Sequence, residues 1–193
     1  MQINLFSGKL SKLRSEVLVV SCFEDVRPLG GMAGEIDWLY GGIISGLMMQ
    51  NKMTGRLGEV LLVAPQDKLQ VSKIILVGLG TCETYSYPQI KSVARRLYHS
   101  INGLNVRERA VELFVPENQA LDLSLLMESF LTGWRAEAKA MGKKKEFNLT
   151  FVIKEGEGAK RLQQKILNDR NLLKGNYSPE SRAITGPTSY SFS

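Results

Sequence analysis

At 193 residues, 44% of them hydrophobic and 23% charged, the chain is long enough for one domain with a real core and too apolar to be wholly disordered. No apolar run approaches the roughly 18 residues of a membrane span, and Met1–Arg14 lacks a basic start followed by a sustained apolar stretch, so a cytoplasmic protein with no membrane partner is expected. Two cysteines and one histidine exclude a disulfide framework and any mechanism that needs two imidazoles on one chain.

Short apolar runs rich in β-branched residues predict strands at Ile3–Phe6 and Val17–Phe23. A glycine-interrupted helix follows at about Glu35–Gln50. Strands are then expected at Glu59–Ala64 and Lys73–Leu79, and the turn-like Pro65-Gln66-Asp67-Lys68 between them predicts an antiparallel hairpin. Val17–Val20 and Ile74–Val77 are apolar at every position, which suits central strands covered on both faces. Ile90, Val93, Ala94, Leu97, Tyr98 and Ile101 follow helical spacing within Ser86–Ile101, where Ser86 and Gln89 match a capping box. A strand at Val111–Val115, a helix at Asp122–Ala138, a strand at Phe147–Ile153 and a helix near Ala159–Leu173, stopping at Gly175, complete the series. Strands alternating with helices predict a three-layer α/β/α domain with a mixed central sheet, spanning residues 1–174. Residues 175–193, rich in Ser, Thr, Pro and Gly, are expected to form a flexible tail.

The charge excess of +6 sits entirely in Lys139–Arg182, with 11 basic and 5 acidic residues; the rest is balanced. Such a stretch reads first as a solvated face and second as a weak nucleic-acid contact. Gly78-Leu79-Gly80 follows a strand, but Glu83 stands where a dinucleotide fingerprint needs its third glycine. Leu29-Gly30-Gly31-Met32-Ala33-Gly34 is more suggestive, because it lies between a buried strand and a helix start, where exposed N–H groups can hold an anion. Gly30, Gly31 and Gly34, with Lys9 as a possible pair for the anion, are therefore the candidate ligand-binding residues. His99 reads as a surface or partly packed side chain, Cys22 as a small core residue and Cys82 as a loop residue beside Glu83. Lys143-Lys144-Lys145 reads as an exposed connection, and Glu35 and Asp37, two residues apart on a helix, point to different faces. No catalytic residue, metal site or cofactor is expected from these patterns. Leu47-Met48-Met49 offers either core packing or an adaptable contact surface.

Gly8-Lys9-Leu10-Ser11-Lys12-Leu13, the buried run Glu16–Val20 and the glycine loop at 29–34 together resemble the macro-domain family. The resemblance implies a diphosphate-binding loop at those glycines. It also sets Lys9 where the family's adenine-contacting aspartate would stand and Phe23 where its ribose-side asparagine would. The segment after Phe114-Val115-Pro116, where a second glycine loop would fall, has no glycine through Ala120. A second resemblance runs from Val17 to Gly80 in detail and to about Leu173 in outline. Asp37, Gly41-Gly42, Ser45, Gly55, Gly58-Glu59, Leu61-Leu62 and Ile75–Gly80 are similar to the N-terminal domain of the leucyl (cytosol) aminopeptidase family, itself macro-like in fold. In that family the two-metal chemistry lies in a separate C-terminal domain. Its Asn-Thr-Asp-Ala-Glu-Gly-Arg signature does not occur in this sequence. The resemblance thus implies a non-catalytic assembly or regulatory module, partnered by a second copy or by a separate aminopeptidase catalytic chain. The alternatives are a binder of a phosphate-bearing small ligand or nucleic acid, or a family label as part of a metalloaminopeptidase.

Overall fold

The computed structural model describes residues 2–116, 119–142, 147–154, 156–168 and 189–192. Its strands are β1 (Gln2–Ser7), β2 (Arg14–Cys22), β3 (Val60–Val63), β4 (Gln70–Gly78), β5 (Glu108–Glu112), β6 (Asn148–Ile153) and β7 (Ser189–Phe192). They form one sheet in the order β3-β4-β2-β5-β6-β1-β7. The five strands from β4 to β1 run parallel, while β3 and β7 flank them antiparallel. The helices are α1 (Gly31–Leu39), α2 (Ile43–Met49), α3 (Tyr87–Asn102), α4 (Leu123–Ala140) and α5 (Glu157–Asn168), with one short helical turn at Leu10–Lys12.

The expected three-layer α/β/α architecture with a mixed sheet is what forms. Alternation along β2 sends Val17 and Val19 into the core under α3, α4 and α5, and Leu18, Val20 and Cys22 into the core under α1 and α2. Ile75 and Val77 of β4 divide from Ile74 and Leu76 in the same way. Burial on both faces is why these strands read as unbroken apolar runs. Trp134 of α4 lies at the centre of the first core, stacked on Phe130 at 5.5 Å and meeting Tyr98 edge-on at 5.2 Å.

Four expectations are corrected. The predicted helix at Glu35–Gln50 is two helices, and the first starts earlier, at Gly31. The break falls at Gly41 and Gly42, both in left-handed conformations with φ of 67° and 87° that favour glycine. Asp37 then turns back from α1 to accept the amides of Ile44 and Ser45 at 2.8 and 2.9 Å, capping α2 from outside its own sequence. The fifth strand runs over Glu108–Glu112 rather than Val111–Val115. Its charged start is accommodated because the Arg109 guanidinium, 1% exposed, lies 4.1 Å from the centre of the Phe147 ring. Ser86 precedes α3 without forming the capping box: its hydroxyl meets the Gln89 side chain at 3.4 Å and caps no amide. The last helix begins at Glu157 and is described as far as Asn168; residues 169–175, including its expected stop, lie outside the described residues. Of the expected tail, Ser189–Phe192 add an edge strand to β1, and residues 175–188 lie outside the described residues.

Candidate functional site

The carboxyl ends of β1, β2, β5 and β6 open together into a cavity of about 980 Å³. In parallel α/β sheets this crevice is the usual place for a ligand. Lys9 and Leu10 reach it from beyond β1, and Asp25, Val26 and the Gly30–Gly31 turn from beyond β2. Glu112 and Phe114 line it from β5 and its extension, and Ile153 and Lys154 from the end of β6. The structure thus brings together Lys9, Gly30 and Gly31 among the predicted residues. Gly34 is not in the lining. A Cβ there would lie 2.3 Å from the Leu29 carbonyl oxygen, so this glycine serves close packing of the loop on α1.

A carboxylate from β5 already occupies the helix start. Glu112 Oε1 accepts the Met32 amide in the first turn of α1 at 2.7 Å, and Oε2 accepts the Ser21 amide of β2 at 2.8 Å. The side chain is buried, and none of the ion pairs among the described residues involves it. Burial pushes its pKa up to about 7, against the opposing pull of the Met32 and Ser21 amides and the Ser21 hydroxyl, and the nearby Glu35 charge adds to the rise. Gly31, at φ 58°, leaves room for this arrangement: a Cβ would meet Glu112 Oε1 at 2.6 Å and the Phe114 ring at 2.7 Å. An anion at Gly30 and Gly31 would have to displace Glu112 and would be repelled by its charge.

The remaining candidates fall in structural roles. Phe23 packs in the core, edge-on to Tyr85 at 5.2 Å and tilted to Phe114 at 5.8 Å. Burial raises the Cys22 thiol to about 12, with the Glu112 charge adding to it. Cys82 is buried and its amide donates to Asp25 at 2.8 Å. His99 sits on the surface against Glu137 at 2.7 Å. Among the described residues no group of three or more His, Cys, Asp or Glu could hold a metal ion, and no helix is long and apolar enough to cross a membrane. Lys143–Lys145 lie outside the described residues. Glu112 itself carried no sequence signal, because its partners lie 91 and 80 residues away along the chain.

A model of the cytosol aminopeptidase family's N-terminal domain matches residues 19–135. The chain belongs to the cytosol aminopeptidase family. A probable cytosol aminopeptidase of Alkaliphilus metalliredigens is 28% identical over 97 residues, covering 50% of this chain and 19% of that protein. Its counterpart from Haemophilus ducreyi is 25% identical over 108 residues, covering 56% of this chain and 21% of the relative. The chain therefore spans about a fifth of the length of these curated relatives. Among solved structures, a mutant tomato leucine aminopeptidase superposes with a TM-score of 0.57 at 15% identity, over 83% of this chain and 34% of that one. A Trypanosoma brucei macrodomain in complex with ADP-ribose gives 0.65 at 15% identity, over 85% and 68%. At these identities the likeness shows the fold: a macro-like α/β domain.

The family's N-terminal pattern explains itself in this setting as architecture. Asp37 and the Gly41-Gly42 pair make the α1–α2 corner. The Glu59 carboxylate accepts the amides of Thr54 and Gly55, both at 2.9 Å, and the Thr54 hydroxyl at 2.7 Å. That loop lies so close to the strand ends that a Cβ on Gly78 would come within 1.9 Å of the Arg56 carbonyl oxygen. The loop is tied to the end of β4, where the Gly78 amide donates to the Glu59 carbonyl at 2.8 Å and the Gly80 amide to that of Gly55 at 2.9 Å.

Proposed function

We propose that this domain acts as an assembly or regulatory module of the cytosol aminopeptidase family, working through protein contacts rather than by hydrolysing peptides on its own. The observation that carries this reading is the outer face of the α1–α2 layer. Trp38 is 88% exposed and Met49 80% exposed, on neighbouring helices whose inward residues Ile36, Ile44 and Met48 are buried. Of the Leu47-Met48-Met49 run, Met48 fills the core and Met49 points to solvent. Tryptophan and methionine are both enriched at protein interfaces, and tryptophan is among the side chains that most often anchor one. The occupant proposed is a second copy of this chain or an aminopeptidase catalytic chain. A phosphate ligand is less well supported, because Glu112 holds the amides that such an anion would need.

Size-exclusion chromatography with light scattering, on the protein alone and mixed with a cytosol aminopeptidase catalytic domain, tests the reading. Wild type is expected to self-associate or co-elute, and the W38E/M49E double variant to lose that association by at least about 30-fold, the loss typical of an interface anchor. A wild-type protein that stays monomeric and co-elutes with nothing would contradict it.

A further inference from the structure

We propose that the cavity binds a short unmodified peptide, its terminal ammonium facing Glu112 and Asp25 and its terminal carboxylate facing Lys9 and Lys154. Glu112 supplies the first observation. It is a buried carboxylate, 6% exposed, in the cavity lining, and its three hydrogen-bond donors, two amides and one hydroxyl, are all neutral. Buried charges in folded proteins are normally paired, and among the described residues this one takes part in no ion pair. A carboxylate has about four lone-pair positions, so acceptor capacity remains for a ligand's N–H groups.

The opposite wall supplies the second. Lys9 follows β1 and Lys154 follows β6; both line the cavity, and among the described residues neither takes part in an ion pair. The register sets their distance from the acidic wall. Glu112 of β5 stands opposite Val152 of β6, which stands opposite Phe6 of β1. Two strand spacings, about 10 Å, separate β5 from β1, which leads to Lys9, and one, about 5 Å, separates β5 from β6, where Lys154 lies two residues beyond Val152. An extended chain advances roughly 3.3–3.6 Å per residue, so about three residues span the wider gap. Phe114, Val115, Leu123 and Val152 line the space between with apolar surface suited to peptide side chains. Asp25 and Glu35 add negative charge on the α1 side, so the cavity attracts an ammonium there and repels phosphate.

Isothermal titration calorimetry with the tripeptide Leu-Ala-Leu, its N-acetylated form, its C-terminal amide and inorganic pyrophosphate tests this directly. The free tripeptide is expected to bind, the acetylated and amidated forms at least tenfold more weakly, and pyrophosphate not at all. Lys9→Gln with Lys154→Gln, two exposed positions whose loss leaves the core intact, should bind the free peptide as weakly as wild type binds the amide. Glu112→Gln should erase the difference between free and acetylated peptide, with circular dichroism confirming that it folds. Equal affinity for free and blocked peptides, no binding of the free peptide at millimolar concentration, or binding of pyrophosphate in its place would overturn the proposal.

Discussion

Trp134→Ala is expected to destabilise the domain by about 3–5 kcal/mol, enough to unfold much of it at physiological temperature. Trp134 is fully enclosed and joins α4 to the rest of its layer through Phe130, Tyr98 and Phe147, the last at 5.9 Å. Truncation removes both ring burial and these edge and stacking contacts, and the close-packed surroundings cannot collapse into the space left. Trp134→Phe should cost far less, since the indole N–H has no hydrogen-bond partner to lose among the described residues. Urea denaturation of the two variants measures both, and a cost below about 1 kcal/mol for the alanine variant would refute this packing.

The second large effect is a dependence of stability on pH that runs against the usual carboxylate behaviour. The Glu112 carboxyl is raised from its ordinary 4.5 to about 7. Its stabilising contribution is therefore fully present below pH 4.5 and is lost as pH rises through 7. At about 1.4 kcal/mol per pH unit of displacement, the loss between pH 4.5 and 8 is ~3 kcal/mol. The groups coupled to it are Glu35 on α1, Cys22 on β2 and Tyr85 ahead of α3, and none of them is a cation. Ordinary carboxylates act in a lower window with the opposite sign. Glu16, held below its usual value by the amides of Glu108 and Arg107, contributes above pH 4.5 and loses that contribution in acid. Comparing urea midpoints of wild type and Glu112→Gln from pH 5 to 8 isolates the effect, because groups not coupled to Glu112 cancel. The wild-type advantage should shrink from pH 5 to about 7 and level off above it; a constant difference would show that Glu112 does not titrate in this range.

Most of the fold was legible because β2, β4 and α3 are buried by their own local pattern. Continuous apolar runs and a helical stripe require no knowledge of partners, and the hairpin turn announced itself in Pro65–Lys68. Some misreadings were local, as at the Gly41-Gly42 break, but at β5 and the glycine loop a distant residue decided the outcome. Arg109 hid the start of β5, since a charged side chain suits a strand interior there only because the Phe147 ring, far along the chain, receives it. The glycines at 30 and 31 looked like a loop ahead of a helix and are instead the helix start, made possible by a side chain from β5. The candidate site was legible in half. Lys9, Gly30 and Gly31 were readable as a shared location, but the carboxylate that fills it could not be seen until folding brought residue 112 beneath the loop.

The claim that the glycine-loop anion position is filled from within is tested most directly by NMR titration of protein labelled at the glutamate side-chain carbons and backbone nitrogens. The Glu112 carboxyl resonance should move with a midpoint near pH 7, and the amide resonances of Ser21 and Met32 should move with it at the same midpoint. A Glu112 midpoint near 4.5, or Ser21 and Met32 amides that do not follow it, would contradict the account.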